Sequence, residues 1–277
     1  AATPRCGRRP YRRAVRTAAV VGFVGANAGL YEYFRRAWWS GERADFRVDW
    51  ERQSYFRQAD KFGHLYGGYF LTVGGRELLR AACYPEKKAA VLGAVYAAAF
   101  QLQIEVWDGY QARYGFSPPD LAANTLGAGL ALTQSFVPAT RAIKPTVSYR
   151  RTRALKNVDA FPPGAQGFDL RPTVDYAGQT YWFSADVDAL LPEGARPYWP
   201  GILRLSVGRS VTDWVDPATG QFQTARQKLV VSLDLDPEKL PGDHPLWRTV
   251  KKQLSYYHFP APALVLTPTT RLHPWYR

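Results

Sequence analysis

The sequence predicts an α+β protein: an N-terminal four-helix membrane-associated bundle followed by an antiparallel β-rich region. Three observations predict it. Apolar stretches of helical length fill residues 14–144 and are broken at Pro85 and Pro138. Beyond residue 180 the texture changes to alternating apolar and polar residues, the period of a strand. Basic clusters and aromatic residues flank the apolar helices, a pattern of membrane surfaces.

The elements follow in order. Residues 1–13 are basic and proline-containing and read as an arm. Residues 14–34 (AVRTAAVVGFVGANAGLYEYF) read as a first helix, and residues 35–59, rich in Trp, Arg and Asp, as an amphipathic interfacial stretch. A second helix spans about Asp60 to Ala82, with glycines that permit close helix contact. The third runs from Glu86 to Asp108 around AAVLGAVYAAAF. A loop over 109–119 leads to a fourth, DLAANTLGAGLALTQSFV, opened by Asp120 near the positive end of the helix dipole. The bundle thus covers 14–144 and a basic, proline-containing linker 145–166. The β-rich region covers 167–277, with strands at 181–191, 202–211 and 228–236. A short helix at about 245–258 precedes a last strand at 263–267. The apolar helix cores are 14–18 residues, at or below the length that spans a bilayer. Four or five strands are too few for a spanning barrel of eight.

Composition narrows the classes. Of 277 residues, 46% are hydrophobic and 21% charged, which excludes a disordered chain. Net charge is +13, and the bases cluster before the first helix (Arg5, Arg8, Arg9, Arg12, Arg13, Arg16) and after the fourth (Arg141, Lys144, Arg150, Arg151, Arg153, Lys156). That placement favours a membrane surface or an anionic partner over nucleic acid. In a four-pass bundle both clusters, with Lys87 and Lys88, fall on one side. Cys6 and Cys83 lack metal-type spacing and are expected to be two free thiols. Residues 3–5 form no lipid-attachment box before Cys6. The chain has no Met, so either a leader has been removed before Ala1 or the sequence is a processed piece.

Chemistry concentrates in three polar pairs on otherwise apolar helices: Asp60 with His64, Glu105 with Asp108, and Asp120 with Asn124. Spacings of three and four put each pair on one helix face. Up-down connectivity carries all three to one end of the bundle. Buried carboxylates there must be hydrogen-bonded, paired or metal-bound. As a structural network they fix helix register. As a catalytic site, His64 is the general acid/base, Glu105 or Asp108 its orienting carboxylate, and Lys61 or Arg113, with Asp120 and Asn124, holds an anionic head group. A divalent cation on Asp60, His64, Glu105, Asp108 and Asp120 is chemically feasible, though no cofactor is assigned. No phosphate loop, nucleophile elbow or acidic metal loop is present; SLDLD reads as a strand with one polar face. His244, His258 and His273 read as structural or exposed.

The segments DKFGHLYGGYFLT, EVWDGYQARYGFSPPD and DLAANTLGA resemble the YfiM-like family of bacterial envelope proteins. More distantly they are similar to VanZ-like membrane proteins, which share the order Asp-Lys…His, Glu and Asp…Asn. The resemblance covers about residues 55–135, and DYAGQTYWFSADV and RQKLVVSLDLD are similar to the longer members of the first family. It implies a membrane-associated envelope location and no settled activity. The expected role is a structural or accessory subunit of an envelope assembly, with membrane lipid and a protein as partners. The alternative is an enzyme acting on a lipid-linked anionic substrate through the six-residue cluster.

Overall fold

A computed structural model describes residues 6, 9–51, 54–167 and 170–276. The chain divides into two units that do not follow chain order: Ala1–Glu51 with Gly67–Pro138, and Arg52–Tyr66 with Ala139–Arg277.

The first unit is helical. It comprises α1 (Arg9–Ala37), the greater part of α2 (Asp60–Ala81), α3 (Glu86–Asp108) and α4 (Pro118–Phe136). Helix α1 begins earlier than expected, so positions 9–13 are helix and not arm; residues 1–5, 7 and 8 of that arm lie outside the described residues. Its aromatic side chains pack along α3, with Phe23 on Tyr96 at 4.6 Å and Tyr31 on Trp107 at 5.9 Å. Helix α2 crosses its neighbours at glycines. A Cβ on Gly93 of α3 would sit 2.8 Å from the Arg76 backbone nitrogen and the Thr72 carbonyl oxygen of α2, leaving no room for a larger residue. Ser117 caps α4, accepting from the Asp120 N–H at 3.2 Å, and two prolines occupy the first turn where no donor is needed. Residues 38–51 bridge to the loop before α4 through Arg43–Gln111 and Val48–Phe116.

The expectation of two free thiols is overturned: Cys6 and Cys83 form a disulfide. The cysteines are 77 residues apart, so no sequence spacing marks them as partners, but helix packing brings the start of α1 to the end of α2. A contact beside it, Arg16 Nε to the Ala82 carbonyl at 3.2 Å, holds the same junction.

The second unit is built on a six-stranded antiparallel sheet in the order β1 to β6. The strands are β1 (Ile143–Tyr149), β2 (Gln179–Ala185), β3 (Leu203–Val211), β4 (Gln227–Leu235), β5 (Ala261–Val265) and β6 (Arg271–Tyr276). Two of them, β1 and β6, were not expected. The strand expected over 181–191 stops at Ala185 because Asp186 caps a turn of helix, α6 (Val187–Leu190), by accepting from the Ala189 N–H. Thr152 starts α5 (Arg153–Lys156) in the same way, and α7 (Pro245–Leu254) opens on proline.

The polar face of this sheet is the buried one. Thr146, Ser148, Ser184, Arg204, Ser206, Ser232 and Asp234 are all buried, with Trp182 among them. Strand register aligns Phe183, Val207, Val231, Leu264 and Leu272 into one row on the opposite face. Phe183, Val207, Leu264 and Leu272 of that row are exposed. A water-facing sheet shows the reverse alternation. A separate apolar core forms around Leu155, Val211, Trp214, Val215 and Ala225, with Ala59 and Phe56 from the 52–66 segment.

Candidate functional site

The expected site residues are distributed between the two units. Glu105, Asp108, Arg113, Asp120 and Asn124 belong to the helical unit; Asp60, Lys61 and His64 belong to the sheet unit.

Within the helical unit the structure brings Glu105 and Asn124 together. Glu105 is 1% exposed, and its carboxylate accepts from the Asn124 side-chain amide at 3.4 Å and the Ser117 N–H at 3.4 Å. Asn124, equally buried, accepts from the Gln101 amide on α3. Gln101 lies one turn before Glu105 on the same face, so helical spacing could have identified it. Ser117 joins through the cap it makes with Asp120. Asp108 turns elsewhere: its carboxylate accepts from the Trp39 indole N–H at 2.7 Å, a partner far away in sequence. Arg113 lies over the Tyr114 ring at 6.0 Å. Tyr69 and Gln134 form a further buried bond at 2.8 Å between α2 and α4. Buried amide, hydroxyl and carboxylate groups thus join α3 to α4 at one place and α2 to α4 at another.

Its exterior is apolar. On α3, Val91, Val95, Leu102 and Val106 recur along one stripe and are exposed, while Gln101 and Glu105 are buried on the other side. On α4, Leu126 is 66% exposed and Asp120, Asn124 and Gln134 are buried. Among the described residues one helix, Glu86–Asp108, is long and apolar enough to cross a membrane. Its 23 residues extend about 35 Å, against about 30 Å of hydrocarbon.

In the sheet unit Asp60 opens α2 and pairs with Lys61 at 2.8 Å, both side chains largely buried. Close by, burial raises the Tyr181 phenol well above its ordinary range, and the Asp60 charge adds to this. Tyr181 donates to Gln179 Oε1 at 2.7 Å and its hydroxyl crowds Gly63. His64 is half-buried one turn along α2.

The sheet interior holds a network that the sequence did not disclose. Arg204 and Asp234 form an ion pair at 2.5 Å with 2% and 0% side-chain exposure. Asp234 also accepts from Ser184 Oγ at 3.2 Å and the Phe259 N–H at 3.0 Å; Ser184 connects in turn to Thr146 and Ser206 at 2.8 Å. The Arg204 terminal nitrogens also donate to the Ser255 and Leu235 carbonyls, and such partners are what a buried pair needs to be tolerated; the Arg204 Nε has none. His258 stacks on Trp182 at 3.9 Å, and burial lowers its pKa to about 4. Of the three histidines outside the helical pairs, it is thus structural. Asp175 accepts from both the N–H and the hydroxyl of Thr152 at 3.0 and 2.7 Å; burial, its largest influence, raises its pKa.

Residues 50–135 match the profile of a family described as a predicted periplasmic lipoprotein, DUF2279. That stretch runs from just before α2 to the last turn of α4 and contains all six residues of the three polar pairs. It is similar to a family of the cell envelope without an assigned activity. No curated protein and no solved structure matches the chain. Cys6 is joined to Cys83 here, so its sulfur does not carry a lipid.

Proposed function

We propose that the chain is a membrane-associated envelope protein whose helical unit seats in lipid, and that it serves as a structural or accessory subunit of an envelope assembly. The observation that carries this reading is the inverted polarity of α3 and α4, with Gln101, Glu105 and Asn124 inside and Val91, Val95, Leu102, Val106 and Leu126 outside. In water such an arrangement exposes apolar area and hides polar groups at a cost on both counts. In lipid the first cost vanishes, and the paired polar side chains inside serve as contacts between helices. The exposed apolar row of the sheet has the same character. A disulfide agrees with the oxidising periplasm that the family description names. On this reading Glu105 and Asn124 fix helix register.

The test is extraction of native membranes with alkaline carbonate. The wild-type chain is expected to stay in the pellet, and the Val95→Lys/Leu102→Lys variant to move to the supernatant. Each lysine at mid-helix costs about 2.5–3.5 kcal/mol of insertion. A wild-type chain that washes off as readily as the variant overturns the reading. Gentle extraction followed by native mass spectrometry tests the second part: a stoichiometric protein partner is expected, and a monomer with none defeats the accessory role.

A further inference from the structure

We propose that the sheet unit carries a binding site for a phosphorylated sugar, in the cavity walled by residues 54–58 and the adjoining ends of β3 and β4. The cavity has a volume of about 580 Å³ and is lined by Ser54, Tyr55, Arg57, Gln58, Arg209, Thr224 and Gln227. That size holds a monosaccharide ester with room for water.

Two guanidinium groups share this cavity, and neither forms an ion pair with a carboxylate among the described residues. Each is instead tethered by backbone. Arg57 Nε donates to the Ala225 carbonyl at 3.1 Å, and Arg209 donates through one terminal nitrogen to the Arg57 carbonyl at 2.6 Å. The Phe62 ring lies 4.7 Å beneath Arg209 and fixes its plane. Its Nε–H is buried with no hydrogen-bond partner. A buried donor of this kind is costly unless a ligand oxygen meets it. Burial also lowers the proton affinity of Arg209, and a bound anion relieves that. The carboxylate whose charge reaches it, Asp60, is bonded to Lys61.

The backbone here is held in an uncommon shape. Arg57 and Gln58 both have positive φ, 51° and 56°, and the Ser54 hydroxyl accepts from the Gln58 N–H at 3.2 Å to secure the turn. Two successive side-chain-bearing residues in the left-handed region are uncommon, and this turn presents the Arg57 carbonyl to Arg209. Paired guanidinium forks suit a phosphate, whose oxygens accept from both. The remaining wall suits a sugar: amides at Gln58 and Gln227, hydroxyls at Ser54 and Thr224, and the half-exposed face of Tyr55 seated on Phe222 at 5.4 Å. The site lies within the sheet unit and stands independently of whether the helices enter lipid.

The test is calorimetric titration of the purified full chain with glucose 6-phosphate, with glucose as the neutral control, and vesicle flotation with phosphatidylcholine alone or with phosphatidic acid. The ester is expected to bind and glucose not. Arg57→Gln and Thr224→Trp, the first removing a charge and the second filling the cavity without touching one, are each expected to weaken binding at least tenfold at an unchanged melting temperature. If the ester does not bind and both variants lose only the gain in flotation that phosphatidic acid gives over phosphatidylcholine alone, the site takes a lipid phosphate and the sugar ester is overturned as its ligand. Absence of binding to every phosphate probe, or equal binding by wild type and both folded variants, overturns the site.

Discussion

Gly68 on α2 lies directly against the backbone carbonyl of Asn124 on α4, so closely that a methyl group at position 68 would overlap it. Asn124 is also the residue through which Gln101 and Glu105 are connected, so the close approach and the polar network share one point.

Substitution at that point therefore acts twice. Gly68→Ala is expected to destabilise the protein by about 1–3 kcal/mol, the cost of overpacking where backbone cannot yield. Gly74 lies on the same helix with open space around it. Gly74→Ala is expected to be neutral or to stabilise by about 0.5–1 kcal/mol through reduced backbone entropy. Thermal melts of the two variants in one detergent check the contrast; a Gly68→Ala melt equal to that of Gly74→Ala refutes it.

The network itself predicts coupling. Glu105→Leu and Asn124→Leu each leave a buried partner unsatisfied and are expected to cost about 1–3 kcal/mol. The double variant is expected to cost less than the sum, because the second change removes a group already orphaned. Additive losses in a double-mutant cycle would mean that the two do not interact.

The disulfide closes a loop of 77 residues. In the chain-entropy account, such a cross-link contributes about 4.5 kcal/mol by restricting the unfolded chain. Dithiothreitol is expected to lower the melting temperature, and Cys6→Ser/Cys83→Ser to reproduce the reduced value. Native protein that reacts with iodoacetamide before any reductant is added would show the thiols free.

His258 provides a pH dependence with a definite sign. Its folded pKa is about 4, below the unfolded value of about 6.5. Between those values the unfolded chain binds a proton and the folded one does not, so stability is complete above pH 6.5 and falls as pH drops toward 4. The loss from pH 7 to pH 5 is about 2 kcal/mol from this residue alone. Urea unfolding of wild type and His258→Phe at the two pH values is expected to show that much of the acid loss removed by the substitution. Identical acid losses in both proteins would exclude the histidine as its source.

The helices were legible because their limits are marked locally. Pro85 precedes α3, and Ser117 with its two prolines starts α4. The central strands were legible by alternation, but alternation does not say which face is wet. In SLDLD, Asp234 reads like a surface residue; Arg204, thirty residues away, makes it a core one. Strand β1 was hidden in a basic, proline-containing stretch, and β6 begins and ends in charged or aromatic residues that carry no strong period. Of the polar pairs, Glu105 and Asn124 meet as their helix positions suggested. Asp108 accepts from Trp39, a partner that no local pattern reveals. Arg57 and Arg209 gave no motif at all: their association depends on a left-handed turn and a strand register.

The interleaving of the two units has a consequence for synthesis. Residues 52–66 leave the ribosome early, yet Phe56 and Ala59 pack in a core whose other members include Trp214 and Ala225. That segment must wait for more than half the chain to be translated before its partners exist. A fragment beginning at residue 139 would retain every strand and still lack part of its own core. The gene therefore cannot be cut into two working halves at the point where helices give way to strands.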